Sequence, residues 1–171
     1  MDVALSIASK RDVRDYDPRS VPDEVLARIL DAGRLAGSAR NAQPWEFVVV
    51  RDPSDRARLA EAAYSPRNLT GAPVVVAIAV RGGAMATFDA GRAAQNMMLA
   101  AWGEGVASCP NGIARPERAV AVLGLAHDQR PAILLSLGYP RTRRDPSRRD
   151  REEWSRRAPR RSLDQVARIL S

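Results

Sequence analysis

The sequence predicts one domain of mixed helix and sheet, an α+β or α/β layer fold, on three observations. Two short β-branched runs, Trp45–Val50 and residues 72–80, end at Pro or Gly punctuation and read as buried strands. Between and around them lie segments whose apolar residues recur at helical spacing. Neither an internal repeat nor a low-complexity tract competes with that layered reading. The chain has 171 residues, enough for one domain that removes roughly 70% of its unfolded surface from water.

Taken in order, residues 3–10 form a short first helix. A second opens at Ser20, Val21, Pro22, Asp23 and Glu24, with Pro22 in the first turn, where its missing N–H costs nothing, and two carboxylates at the positive helix end. Val25, Leu26, Ile29, Leu30 and Leu35 give this helix one buried stripe. A polar loop follows, Pro44 bars further helix, and Trp45–Val50 reads as a central strand closed by Asp52 and Pro53. Residues 53–63 return to helix, 66–71 form a loop, and 72–80 form the clearest strand. Residues 87–104, rich in Ala, Met and Leu and apolar on several sides, suit a helix packed through the middle of the protein. In this context Met85, Met97 and Met98 read as gap-filling core rather than as soft ligands. Residues 106–108 form a brief strand, 115–123 a helix and 131–137 another strand. An Arg-rich linker, 141–161, leads to Ser162, Leu163, Asp164 and Gln165, a capping-box pattern opening a terminal helix with Leu163, Val166 and Ile169 on one face.

Charge narrows the function classes. Lys and Arg total 27 against 20 Asp and Glu, for a net charge of +7, and Lys10 is the sole lysine. Much of the excess lies in residues 141–161, but Asp145, Asp150, Glu152 and Glu153 interrupt it, and few aromatics accompany the arginines. A nucleic-acid groove would show a single sign and stacking platforms, so no nucleic-acid partner is expected. No stretch approaches the roughly 20 apolar residues of a membrane span, and the N-terminus lacks a basic region followed by a long apolar core. The expectation is a cytoplasmic protein without a membrane partner. Cys109 and His127 are the only residues of their kinds, which leaves no internal disulfide and no cluster for zinc or iron. Gly82-Gly83 follows a strand, yet no Gly-x-Gly-x-x-Gly or Walker loop appears, so Rossmann and P-loop sites are disfavoured.

The most informative segment is the loop before Trp45. Ser38, Arg40, Asn41 and Gln43 place a hydroxyl, a guanidinium and two amides within six residues. Such a set suits a flat heterocycle with mixed donor and acceptor edges. The same residue types also satisfy their own backbone in a turn, and composition alone leaves both readings open. Lys10, Arg11 and Arg14 likewise form either an anion grip or a solvated surface. Neither His127, in a polar turn, nor the packed Cys109 is a candidate acid, base or nucleophile.

Ser38-x-x-Asn41-x-Gln43-Pro44-Trp45, preceded by Lys10-Arg11-Asp12-Val13-Arg14-Asp15-Tyr16 and by Val21-Pro22-Asp23-Glu24-Val25-Leu26, resembles the opening of the FMN-dependent nitroreductase superfamily. Ala94-Gln95-Asn96-Met97-Met98-Leu99 resembles that family's central helix, Ser108-Cys109-Pro110-Asn111-Gly112 its flavin-edge loop, and Leu135-Ser136-Leu137-Gly138-Tyr139-Pro140 its late strand. The resemblance spans nearly the whole chain. It implies a nitroreductase-like α+β fold, a three-layer α/β/α arrangement with a central mixed sheet, in one FMN-binding domain over residues 1–171. It further implies a homodimer with a shared flavin site.

By that resemblance Lys10, Arg11, Asp12 and Arg14 meet the FMN phosphate and ribityl chain, joined by Arg160 and Arg161. Ser38, Arg40, Asn41 and Gln43 serve the ring and ribityl edge of the partner's flavin. Pro110, Asn111 and Gly112 mark the place where a backbone N–H points at flavin N5, and Asn68 stands where relatives carry a ring-edge amide. The implied activity is ping-pong reduction of nitroaromatics, quinones or a related small-molecule oxidant, with NADH or NADPH as reductant. The chemistry is borne by the flavin, so no side chain is nominated as catalytic. Two departures bear on this. Asp12 stands where the family commonly has a serine in Arg-Arg-Ser-x-Arg, which points it toward ribityl hydroxyls or a neighbouring arginine. Arg11-Asp12-Val13-Arg14 also resembles the flavin-cleaving dimethylbenzimidazole synthase branch, which lacks the Asn that Asn41 supplies. A flavin carrier on the same scaffold is the non-catalytic alternative.

Overall fold

Four strands, β1 (Trp45–Val50), β2 (Val74–Arg81), β3 (Ala107–Asn111) and β4 (Gln129–Gly138), form one antiparallel sheet in the order β1-β2-β4-β3 in the computed structural model. The structure describes residues 2–170 and divides the chain into two compact units, Arg11–Arg144 and Met1–Lys10 with Asp145–Ser171.

In the larger unit β2 is buried from Val74 to Val80, because both its faces are covered. Val74, Val76, Ile78 and Val80 join one core with Val25, Leu26 and Ile29 of α2 (Asp23–Arg34) and Ala90, Ala94, Met97 and Ala101 of α5 (Ala84–Gly103). Val75 and Ala77 point the other way. They meet Leu59 of α3 (Pro53–Ala60), Leu69 of α4 (Pro66–Thr70) and Ala119 of α6 (Pro116–Leu123). The alternation follows from the period of two along a strand.

Several expectations are corrected. Trp45–Val50 forms the strand foreseen but lies at the sheet edge rather than its centre, paired only with β2 among the described residues. Its β-branched residues are mostly half-buried, and Trp45 and Phe47, two apart on one face, stack at 6.3 Å. The sheet is antiparallel throughout its ladders rather than mixed, with parallel pairing confined to an isolated bridge between Asp12 and Ser108. Residues 66–71 contain the helix α4, started by Pro66 at a position that needs no N–H donor. Leu35 is exposed because α2 ends at Arg34, before the stripe completes another turn. Strand β3 runs on through Pro110 and Asn111, where the sequence predicts loop; an edge strand tolerates the proline.

In the smaller unit, α1 (Val3–Ser9) is capped by Asp2, whose carboxylate accepts from the Leu5 N–H at 3.2 Å. The 141–161 stretch is more ordered than a linker. Asp150 caps α7 (Arg151–Arg156), and buried Trp154 donates from its indole to the Pro146 carbonyl at 2.8 Å beneath the Arg149 guanidinium. The terminal helix, by contrast, reduces to a three-residue 3₁₀ turn, Leu163–Gln165. Its capping box is present, but Leu163, Val166 and Ile169 stay exposed, and a short helix without a packed face does not propagate. Among the described residues no helix is long and apolar enough to cross a membrane.

Candidate functional site

The loop after α2 folds into a tight turn, Ala39–Asn41, with three non-glycine residues in left-handed backbone: Arg40 at φ 53°, Asn41 at 55° and Gln43 at 45°. Each such residue costs roughly 1–2 kcal/mol, least for Asn, so the turn must be held from outside. Ser38 does part of this: its hydroxyl accepts from the Gln43 N–H at 2.9 Å, and its carbonyl from the Asn41 N–H at 3.1 Å. Ser38 therefore acts as a turn residue. The side chains of Arg40, Asn41 and Gln43 are exposed, so the turn presents a guanidinium and two amides to solvent.

Sequence reasoning missed the second anchor. Asp89, in the second turn of α5, is 2% exposed and accepts from the Ala39 N–H at 3.0 Å, while Arg92 lies one turn on with Nη1 3.5 Å from its carboxylate. The signal was available: Asp89 and Arg92 are the only charged residues in the twenty of α5. Their neighbours Thr87, Phe88, Gln95 and Asn96 line an open groove of about 450 Å³ on the outer face of that helix.

The loop over residues 11–16 is stitched to the far side of the sheet. Val13 donates its N–H to the Ser108 carbonyl at 3.1 Å, and the buried Tyr16 hydroxyl donates to the Val13 carbonyl at 2.6 Å beside Ser136 Oγ at 2.9 Å. Burial pushes the Tyr16 phenol above its ordinary range, so it remains a neutral donor. This framework fixes the backbone that carries Arg11, half-buried, and Asp12 and Arg14, both exposed. Ser108 Oγ, beneath the same loop, is buried with no hydrogen-bond partner among the described residues. Lys10 caps the C-terminus of α1 in the smaller unit, where Arg160 and Arg161 are also found, both exposed.

At the end of β3 the structure brings Asn68, Asn111 and Gly112 together. Asn111 is 3% exposed; its amide donates to the Cys109 carbonyl at 2.8 Å and toward Ser136 Oγ at 3.1 Å, and its Oδ1 accepts from Asn68 at 2.8 Å. The Asn111 side chain thus serves the interior, and Asn68, half-buried, is the member nearer the surface. The carbonyl of Gly112 accepts from the Tyr64 N–H at 3.2 Å, and a Cβ at Gly112 would press on the Tyr64 ring at 3.0 Å. Tyr64, 76% exposed, is an aromatic wall that the sequence did not flag. Pro110 lies half-buried in the strand.

Known proteins share the family and the fold of this chain. A model of the Nitroreductase family matches residues 7–66 and 64–139. A relative from Archaeoglobus fulgidus, named for NADH dehydrogenase and NAD(P)H nitroreductase, is 32% identical over 86% of this chain and 96% of its own. A Thermus thermophilus protein named NADH dehydrogenase is 32% identical over 87% of this chain and 92% of its own. Among solved structures, a nitroreductase family protein of Clostridium difficile 630 superposes with a TM-score of 0.84 at 22% identity, covering 100% of this chain and 99% of that one. An FMN-dependent nitroreductase of Clostridium difficile R20291 gives a TM-score of 0.76 at 24% identity over 86% of this chain and 95% of that one. The chain belongs to the nitroreductase family of oxidoreductases.

Proposed function

We propose that the protein is an FMN-dependent oxidoreductase that takes reducing equivalents from NADH or NADPH and passes them to a nitroaromatic, a quinone or a related small acceptor. It works as a homodimer of three-layer subunits with the flavin shared between partners. The observation that carries this reading is the 38–43 turn: a strained backbone, anchored at Ser38 and Asp89, that presents two amides and a guanidinium outward. The Gln43 amide also reaches back to the Asn41 carbonyl at 3.4 Å, while the Asn41 amide and the Arg40 guanidinium face outward.

The donor set fits FMN. Arg14 and Arg11 offer guanidinium forks to a phosphate dianion from a loop that Tyr16 and Val13 hold rigid. Lys10, Arg160 and Arg161, on the smaller unit, take their phosphate role from the family resemblance alone. Asn41 and Gln43 would orient the ring and ribityl edges through amide hydrogen bonds, Asn68 would add an amide, and Gly112 leaves room for close backbone approach beside Tyr64. Arg40 places a fixed positive charge on the same turn, which favours negative charge on the ring's polar edge. When bound, FMN supplies hydride acceptance from the nicotinamide and its onward transfer in a ping-pong cycle; the side chains bind, orient and bias, and none is needed as a general acid or base.

The test is anaerobic titration of FMN-reconstituted protein with each nicotinamide, followed by an acceptor panel. Bleaching of the flavin absorbance and its return with an acceptor is the expected result. Bound flavin that neither nicotinamide bleaches would make the protein a flavin carrier.

A further inference from the structure

We infer that Asp89 is a positioning residue that presets the 38–43 turn for its ligand, with Arg92 as its charge partner; the inference rests on the reading of that turn as a flavin contact. A carboxylate buried in an apolar helix is unfavourable unless it is hydrogen-bonded and paired. Asp89 is both, and one partner lies fifty residues away in sequence: the Ala39 N–H at 3.0 Å, against 3.5 Å for Arg92 Nη1. The buried charge therefore ties α5 to the one loop, among the described residues, whose backbone is strained at three non-glycine positions.

The geometry around the tie supports this role. Ser38 Oγ clasps the turn at Gln43, its exit, while Asp89 holds it at Ala39, its start, so Arg40 and Asn41 lie between two anchored residues. Gly37 leaves the passage that Arg92 needs, since a Cβ there would overlap the guanidinium. A hydrogen bond to an ionised acceptor is stronger than one to a neutral amide. Asp89→Asn keeps an oxygen of the same reach but loses that strength, and its NH₂ would turn a donor toward Arg92 or Ala39.

The experiment uses the full chain, with and without FMN. In flavin-free Asp89→Asn, amide exchange at Ala39 and Gln43 should accelerate at least tenfold while β2 amides keep their protection. The dissociation constant for FMN should rise at least fivefold, and at saturating FMN the visible absorption envelope should differ from wild type because the amides at the ring edge are displaced. Arg92→Gln should move the same readouts in the same direction by less. Unchanged exchange at Ala39, or equal acceleration in β2, would overturn the positioning role, as would unchanged affinity and spectrum with a loosened turn. Wild-type protein that binds no FMN would sink the flavin reading instead, and the exchange measurement would still decide whether Asp89 anchors the turn. Should Asp89→Asn fail to fold, Arg92→Gln, whose side chain is about half exposed, carries the test.

Discussion

Asn41 has two separable jobs, a left-handed backbone at φ 55° and an exposed amide, and one substitution divides them. Glycine adopts that φ without strain but carries no amide, so Asn41→Gly should change unfolding free energy by no more than about 1 kcal/mol. If the amide meets flavin, affinity should fall about 3- to 10-fold, the worth of one or two hydrogen bonds, as read by fluorescence titration. Unchanged affinity would make Asn41 a turn residue only. Arg14 tests the other end of the site. A charge-assisted contact is worth roughly 1.5–3 kcal/mol, so Arg14→Ala should weaken FMN binding about 10- to 100-fold, whereas Arg148→Ala, in a 3₁₀ turn of the smaller unit, should leave it unchanged. Equal losses would reject the phosphate assignment. Residue types were enough to nominate Asn41, Gln43 and Arg14, because amides and guanidinium carry their chemistry wherever they fall. The left-handed turn was not legible, since it depends on Asp89, a contact across fifty residues.

Between elements, α2 packs tightly on α5. Gly33 is buried there, and a Cβ on it would overlap Met97, itself fully buried. Alanine favours a helix by about 1 kcal/mol over glycine, but overpacking costs about 1–3 kcal/mol, so Gly33→Ala should be net destabilising in urea unfolding. Combined with Met97→Ala it should cost less than the sum of the two single changes; strict additivity would place the clash elsewhere. The same two helices are tied at the surface by Arg28 and Glu104, hydrogen-bonded at 2.8 and 2.9 Å. Arg28 holds the Glu104 carboxyl below its ordinary value of 4.5. A lowered folded pKa means the pair stabilises above the unfolded value and is lost as pH falls through the folded one. Glu104→Gln should therefore melt about 2 °C or less below wild type at pH 7, and the two curves should converge under acid; a gap that persists at low pH would show the effect is not ionic. Strand β2 was legible because its unbroken run of Val, Ala and Ile, rich in β-branched residues, suits a doubly covered strand. The edge place of β1 was not, for a β-branched run reads alike at the centre or the edge and only pairing tells them apart. The terminal helix failed for the opposite reason: its local signals were sound, but Leu163, Val166 and Ile169 find no packing surface.

At the scale of the whole molecule, length and composition argued one domain, and the grouping of both chain ends into a unit of their own could not be read from them, because it depends on the packing of α1 against α7, elements more than 140 residues apart in sequence. What the subunit leaves uncovered leads to the last prediction. Helix α5 buries Ala86, Ala90, Ala93, Ala94, Met97 and Ala101, yet on the outside Met85 is 58% exposed and Phe88 61%. Phe88 lines the groove of about 450 Å³ together with Arg92, the ion-pair partner of the Asp89 that anchors the 38–43 turn. Large apolar side chains in a cluster mark association surfaces, and a two-fold dimer buries one patch against its own copy. If that face closes the flavin site across the dimer, Phe88→Glu should shift sedimentation from dimer toward monomer and release FMN in the same concentration range, while far-UV circular dichroism stays that of the wild type. The coupling is the decisive part, since mass action then makes flavin retention depend on protein concentration. Wild-type protein that sediments at micromolar concentration as a monomer with flavin still bound would reject the shared site, and would leave the oxidoreductase assignment to stand on a single subunit.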